Sequence, residues 1–161
     1  MIKKHQIGLF VDTSDTSTAN YARIKKSTDL TLSMEAETED FDYIADENPT
    51  SELAYYKPEI EQPLKMIKDE PDFEYFWDMF YEMKVGEDAK TTAIVAFMFD
   101  KTEAGNKAYY KAWKVPVTVI FNELNAPDSE LNFNLNFGGN VDKGYVTVID
   151  GAVAWFDEIP S

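Results

Sequence analysis

From Leu131 to Phe137 apolar and amide side chains alternate without a break: Leu131, Phe133, Leu135 and Phe137 are separated by Asn132, Asn134 and Asn136. A period of two belongs to a β-strand with one face on a core and the other exposed. The exposed Asn row is either a solvated ladder or a row able to hydrogen-bond a partner strand or ligand. The same grammar governs the chain from residue 91 onward. Apolar-rich runs at 91–101, 108–122, 130–141, 145–149 and 152–156 are separated by Ala104-Gly105-Asn106, Asn125-Ala126-Pro127-Asp128, Asp142-Lys143-Gly144 and Asp150-Gly151. The last pair is a strong two-residue hairpin signal, because both central positions of such a turn require φ > 0. Gly138-Gly139 predicts a bulge inside the third run.

The N-terminal half is less regular. Residues 12–20 are nearly all Asp, Thr, Ser and Asn, with little to bury, and residues 1–20 are expected to form a flexible arm ahead of a single domain, 21–161. A strand is expected at 21–26 and a second at 30–37. In the second, Leu30, Leu32, Met34 and Ala36 face one way, and Thr31, Ser33, Glu35 and Glu37 the other. Aromatic-rich FDYI and LAYY flank the loop signal Asp46-Glu47-Asn48-Pro49, which predicts a long hairpin at 38–57. Pro58 and Pro63 restrict the next strand to an edge or an irregular path. One helix is expected at 70–84, with Pro71 in its first turn and Gly86 past its end. Phe73, Phe76, Trp77 and Phe80 form its apolar stripe. About eight strands and one helix imply a mainly β protein, a β-sandwich or rolled barrel with a flanking helix.

Composition narrows the function classes. Thirty acidic side chains against fifteen basic ones give a formal charge of −15. That argues against ordinary nucleic-acid binding, which needs clustered Lys and Arg. The chain has no Cys and one His, His5, which removes thiol chemistry and His-pair metal sites and leaves a triad improbable. No apolar run approaches the length of a membrane span, and Ile7–Val11 is too short for a signal-peptide core, so synthesis in the cytoplasm is expected. The charge is also uneven. Residues 1–26 carry Lys3, Lys4, Arg23, Lys25 and Lys26 against Asp12 and Asp15, whereas residues 27–56 carry nine acidic side chains and no basic one.

Sites for small-molecule chemistry are weakly supported. Asp40-x-Asp42 with Asp46 and Glu47 lacks the glycine and closing glutamate of a calcium loop. Glu35 with Glu123 could serve as a glycosidase pair, but nothing selects it among many carboxylates. Trp77 and Trp113 fall on positions expected to face the core, and no glycine-rich phosphate loop is present. No catalytic, cofactor or metal residues are expected. A carbohydrate- or calcium-binding β-sandwich module is the alternative from a different class.

Three segments in order carry a more specific likeness: FDYIADENPTSELAYYKPEIEQPL at 41–64, DEPDFEYFWDMFYEM at 69–83 and LNFNLNFGGNVDKGYVTVIDG at 131–151. Together they resemble the major tail tube proteins of long-tailed (siphophage-type) bacteriophages, over about residues 20–156. The resemblance implies the compact form of the family, with no appended immunoglobulin-like domain. It implies a structural, non-enzymatic virion protein without cofactors, assembling into stacked hexameric rings that form the tail tube through which DNA is ejected. It further implies partners in the tape measure, tail terminator and distal tail proteins, with DNA passing unbound and no membrane contact. Another tail tube, connector or secretion-machine component is the neighbouring alternative.

Placed on this chain, the resemblance makes Phe41, Asp42, Tyr43, Ile44, Asp46 and Glu47 of the hairpin, with Lys3 and Lys4 of the arm, the candidates for ring stacking. Apolar side chains on a protruding hairpin form a patch that a monomer leaves exposed. A basic arm opposite an acidic hairpin would give an axial contact with a fixed direction. Glu35 and Glu37 are the candidates for an acidic lumen, which would repel phosphate.

Overall fold

The computed structural model describes residues 1–14, 19–27, 29–45 and 47–160. The chain is mainly β, with eleven strands among these residues: β1 (Ile7–Asp12), β2 (Tyr21–Arg23), β3 (Thr31–Ser33), β4 (Ala36–Phe41), β5 (Thr50–Tyr56), β6 (Glu59–Lys65), β7 (Lys90–Ala104), β8 (Lys107–Asn125), β9 (Glu130–Phe137), β10 (Asp142–Ile149) and β11 (Ala152–Phe156). One helix, α1 (Pro71–Tyr81), precedes β7.

All pairings are antiparallel. The main sheet runs β2-β1-β7-β8-β9-β6-β3, and β10, paired with β8 and β11, branches from it. The branch exists because β8 is long enough to serve two neighbours. Its first half pairs Tyr110–Lys114 with β10, and its second half pairs Val117–Asn125 with β9. A bridge between Ser27 and Leu64, with Lys65 N–H donating to the Lys26 carbonyl (3.0 Å), ties the chain after β2 to β6 and rolls the sheet.

The main core fills the roll with Leu9, Val11, Ile60, Leu64, Val95, Val117, Leu131, Phe133 and Leu135 among others. A second cluster lies on the opposite face of β1, β7 and β8, where Phe10, Ile94, Ala96, Ala112 and Val146 are covered by the β10–β11 hairpin. This double cover corrects the reading of the N-terminus. Ile7–Asp12 is not part of a flexible arm but an interior strand: Leu9 and Val11 face one core, and Phe10 faces the other. A strand buried on both faces reads as a continuous apolar run, and Ile7–Val11 is such a run. The remainder of the expected arm includes residues 15–18, which lie outside the described residues.

The second correction concerns 30–37. This is not one half-buried strand but two strands broken at Met34 and Glu35, where Glu35 takes φ +42. Leu30 and Met34 are exposed rather than core-facing. At Gly138-Gly139 the strand ends, with Gly138 N–H donating to the Pro116 carbonyl (2.8 Å); the β8–β9 irregularity lies instead between Phe121 and Glu123. Pro63 sits in β6 beyond the three residues that pair with β3, so its missing N–H interrupts no pairing on that side. At the β10–β11 turn Asp150 and Gly151 both have positive φ, +52 and +82, as a primed turn requires.

The helix docks by Phe76, fully buried and stacked on Phe133 with centroids 4.3 Å apart, and by Met79. Trp77 is 37% exposed and lies along the helix surface between Phe73 and Phe80. Phe73 and Phe80 of the expected stripe do pack half-buried against the main core, but Met79 rather than Trp77 completes the fully buried side with Asp72 and Phe76, so the helix is turned by part of a step. Asp72 explains the rotation. Its carboxylate accepts from the backbone N–H of Phe73 (2.9 Å) and of Lys25 (3.3 Å), anchoring the helix N-terminus to the segment after β2. The helix ends at Met83 in the left-handed region (φ +49), with Lys84 N–H reaching the Met79 carbonyl (3.2 Å), three residues before Gly86.

Candidate functional site

Strands β4 and β5 form a two-stranded sheet of their own. Every residue of β5 is exposed, and so is every residue of β4 except Phe41. Residues directly opposite share a face and faces alternate along a strand. The register therefore puts Glu37, Glu39, Phe41, Glu52 and Tyr55 on one side of the ribbon. Lys57 at the root confirms this side: its ammonium lies 3.6 Å from the Glu37 carboxylate and 5.4 Å from the Tyr55 ring centroid. Glu37 and Tyr55 together raise the Lys57 pKa above its ordinary value, the carboxylate contributing more.

The ribbon is stabilised poorly from within. Glu39 stands directly across from Glu52, a like-charge pair that disfavours the hairpin. One cross-strand side-chain bond, Ser51 Oγ donating to Asp40 (2.7 Å), works the other way. Two strands without a covering layer are marginal in water. Leu53, Tyr55 and Tyr56 are nonetheless about half exposed and Ile44 fully exposed, so the ribbon presents apolar surface that the described residues leave open to solvent.

Of the residues singled out in the sequence, Phe41, Asp42, Tyr43, Ile44 and Glu47 come together at the hairpin tip. The Phe41 and Tyr43 rings stack there, 5.6 Å apart and 10° from parallel. Asp46 lies outside the described residues. Lys3 and Lys4 are exposed in a 3₁₀ turn leading into β1; Lys3 N–H donates to Gln6 Oε1 (2.8 Å). Glu35 and Glu37 do not lie on the polar side of a barrel strand, as the alternation suggests. The break at Glu35 moves both to the hairpin root.

Sequence reasoning missed a cleft of about 740 Å³ at the seam of the roll, between the β1–β2 edge and the start of β3. Arg23 and Lys25 join Lys4 and His5 there, and Arg23 Nη2 donates to the His5 carbonyl (3.1 Å). Gln62, buried beside the cleft, donates to the Asp29 carbonyl (3.2 Å) and fixes the seam's far wall. The excess of basic residues in 1–26 is a sequence signal for its charge but not for its place. A second groove, about 590 Å³ and mostly apolar, lies between the C-terminal end of α1 and residues 118–121 of β8.

No protein-family model and no curated protein matches this chain. Solved structures do. A chain in the tail of an empty GTA particle, determined with helical refinement and C6 symmetry, is 12% identical, with 88% of this chain and 97% of that chain covered and a TM-score of 0.54. A chain of the anti-feeding prophage baseplate, 6-fold symmetrised, covers 85% of this chain and 89% of its own at 6% identity, with a TM-score of 0.42. The GTA likeness agrees with the fold class: a mainly β domain of antiparallel sheets with one helix.

Proposed function

We propose that this protein is a structural, non-catalytic subunit of a phage-type tail, six copies closing into a ring and rings stacking into a hollow tube through which DNA passes during ejection. The observation that carries this reading is the β4–β5 ribbon: apolar, acidic and uncovered on both faces, on a domain with the fold of a C6 tail component. A side chain array of that kind gains when a second molecule covers it. Repetition of one heterologous contact closes rings or extends filaments. Phe41, Asp42, Tyr43, Ile44, Asp46 and Glu47, with Lys3 and Lys4 on the facing copy, are the proposed ring-to-ring contacts. Glu35 and Glu37 at the hairpin root are the proposed acidic border of the channel, where phosphate would be repelled rather than held.

In this reading the protein is made in the host cytoplasm and ends in the virion tail. A tape measure protein sets the tube's length, and terminator and distal tail proteins bound its ends. The test is negative-stain microscopy of the concentrated protein. Six-fold rings and stacked tubes are the expected result. Rings that never stack would favour a connector or terminator role, and monomers at every concentration and salt would overturn the proposal. Removing residues 42–52 should leave the barrel folded and stop stacking.

A further inference from the structure

The uncovered face of the ribbon and the seam cleft are complementary. The ribbon face carries Glu39 opposite Glu52, with Phe41 beside them and no cation of its own chain near either glutamate among the described residues. The cleft carries Lys4, Arg23 and Lys25 against a single acid, Asp29, with Ile7 and Leu30 as apolar floor and rim. Neither Lys4 nor Lys25 makes an ion pair with a described residue. The two surfaces also sit at opposite ends of β3. Leu30, at the cleft, precedes that strand, and Ala36, where the ribbon begins, follows it. A ribbon leaving one end and a seat at the other are placed to meet head to tail between copies.

We propose that the seam cleft is the seat for the β4–β5 ribbon of a second copy of this chain. Lys4 and Lys25 meet Glu39 and Glu52, and Phe41 packs against Ile7 and Leu30. This rests on the tube reading and names the surface on which one copy receives the next. The seat also resolves the like-charge pair in the ribbon. A lysine placed between Glu39 and Glu52 turns a repulsion that weakens the free hairpin into a bridged cluster, so the ribbon is better ordered in the assembly than alone.

The test uses charge reversal and cross-linking in the full chain. Lys4→Glu with Lys25→Glu, both exposed positions, should weaken assembly by about tenfold or more at low salt, read by sedimentation and microscopy. Glu39→Lys with Glu52→Lys should do the same, and the four changes in one chain should restore assembly. The chain has no cysteine, so Lys25→Cys with Glu39→Cys reports the contact cleanly on oxidation. A ladder of covalent multimers is expected.

Reversed variants that assemble like the unmodified chain would overturn the seat and leave the tube reading standing. A disulfide confined to monomers, or no disulfide, would also overturn the seat. A ladder from a protein that forms no ring or tube would support the seat while overturning the tube reading.

Discussion

Strand β1 and strand β5 are of similar length and similarly apolar in sequence, yet they end in opposite environments. Ile7–Asp12 is enclosed between two cores, with Leu9, Phe10 and Val11 essentially inaccessible. Thr50–Tyr56 is exposed along its whole length, with Leu53, Tyr55 and Tyr56 in solvent. The difference does not come from composition. Strand β1 has β7 beside it and a covering layer on each side, whereas β5 has one acidic neighbour and, among the described residues, no layer over it. The barrel is a structure that the chain completes by itself. The ribbon is one that it leaves open.

The largest expected effect breaks the enclosed region. Phe76→Ala removes the ring stacked on Phe133 at the centre of the helix–sheet contact and should lower stability by about 3–5 kcal/mol in urea unfolding. Gly144→Ala comes next. A Cβ there would meet the Phe156 carbonyl oxygen and the Trp155 ring at 2.6 Å, and backbone on the facing strand cannot step aside. A loss of about 1–3 kcal/mol is expected, with the β10–β11 hairpin loosened first in hydrogen exchange. Met83→Gly should raise stability by about 1 kcal/mol in the same unfolding assay, because glycine takes the left-handed helix end without steric cost and the Met83 side chain is exposed.

Leu53→Ser with Tyr55→Ser, in the open region, should change unfolding by no more than about 0.5 kcal/mol. A larger loss would mean that the ribbon is covered within the chain, and the contrast would fail. The smallest effect concerns alkaline pH. Glu37 and Tyr55 raise the Lys57 pKa; burial raises that of Tyr21, with Asp12 adding to it. Raised values mean that both groups favour the folded form below their unfolded pKa, near 10.5 and 10.0, and that this contribution fades as pH rises through the folded values. A gentle decline confined to pH above about 10 is expected in a pH series of thermal melts.

Local signals in the sequence reached elements whose causes are local. Pro71 marks the helix start, Asp150-Gly151 makes the primed turn, and the alternation from Leu131 to Phe137 reflects a strand with one buried face. Non-local causes stayed hidden. The apolar run Ile7–Val11 fits a strand covered on both faces, but it does not say that β10 and β11, more than a hundred residues later, supply the second cover. Asp72 binding the Lys25 backbone turns the helix so that Met79, not Trp77, goes inward, and that bond spans 47 residues. The break at Glu35 rests on one non-glycine residue with positive φ, a conformation that composition does not flag. The ribbon itself was readable from FDYI, LAYY and the acidic run. The cleft was not, because Lys4, Arg23 and Lys25 become one surface only when Ser27 reaches Leu64 and the roll closes.

The Glu39–Glu52 pair has a further consequence for free chains at high concentration. An exposed ribbon with two open edges and aromatic side chains is the kind of segment that stacks on copies of itself into aggregates. Two such ribbons brought edge to edge or face to face would crowd four glutamates into one place, together with the neighbouring Glu37, Asp40 and Asp42 of each copy. Like therefore rejects like. In a dense pool of chains the ribbon is thereby kept off its own kind and left free for a surface that carries the opposite charge.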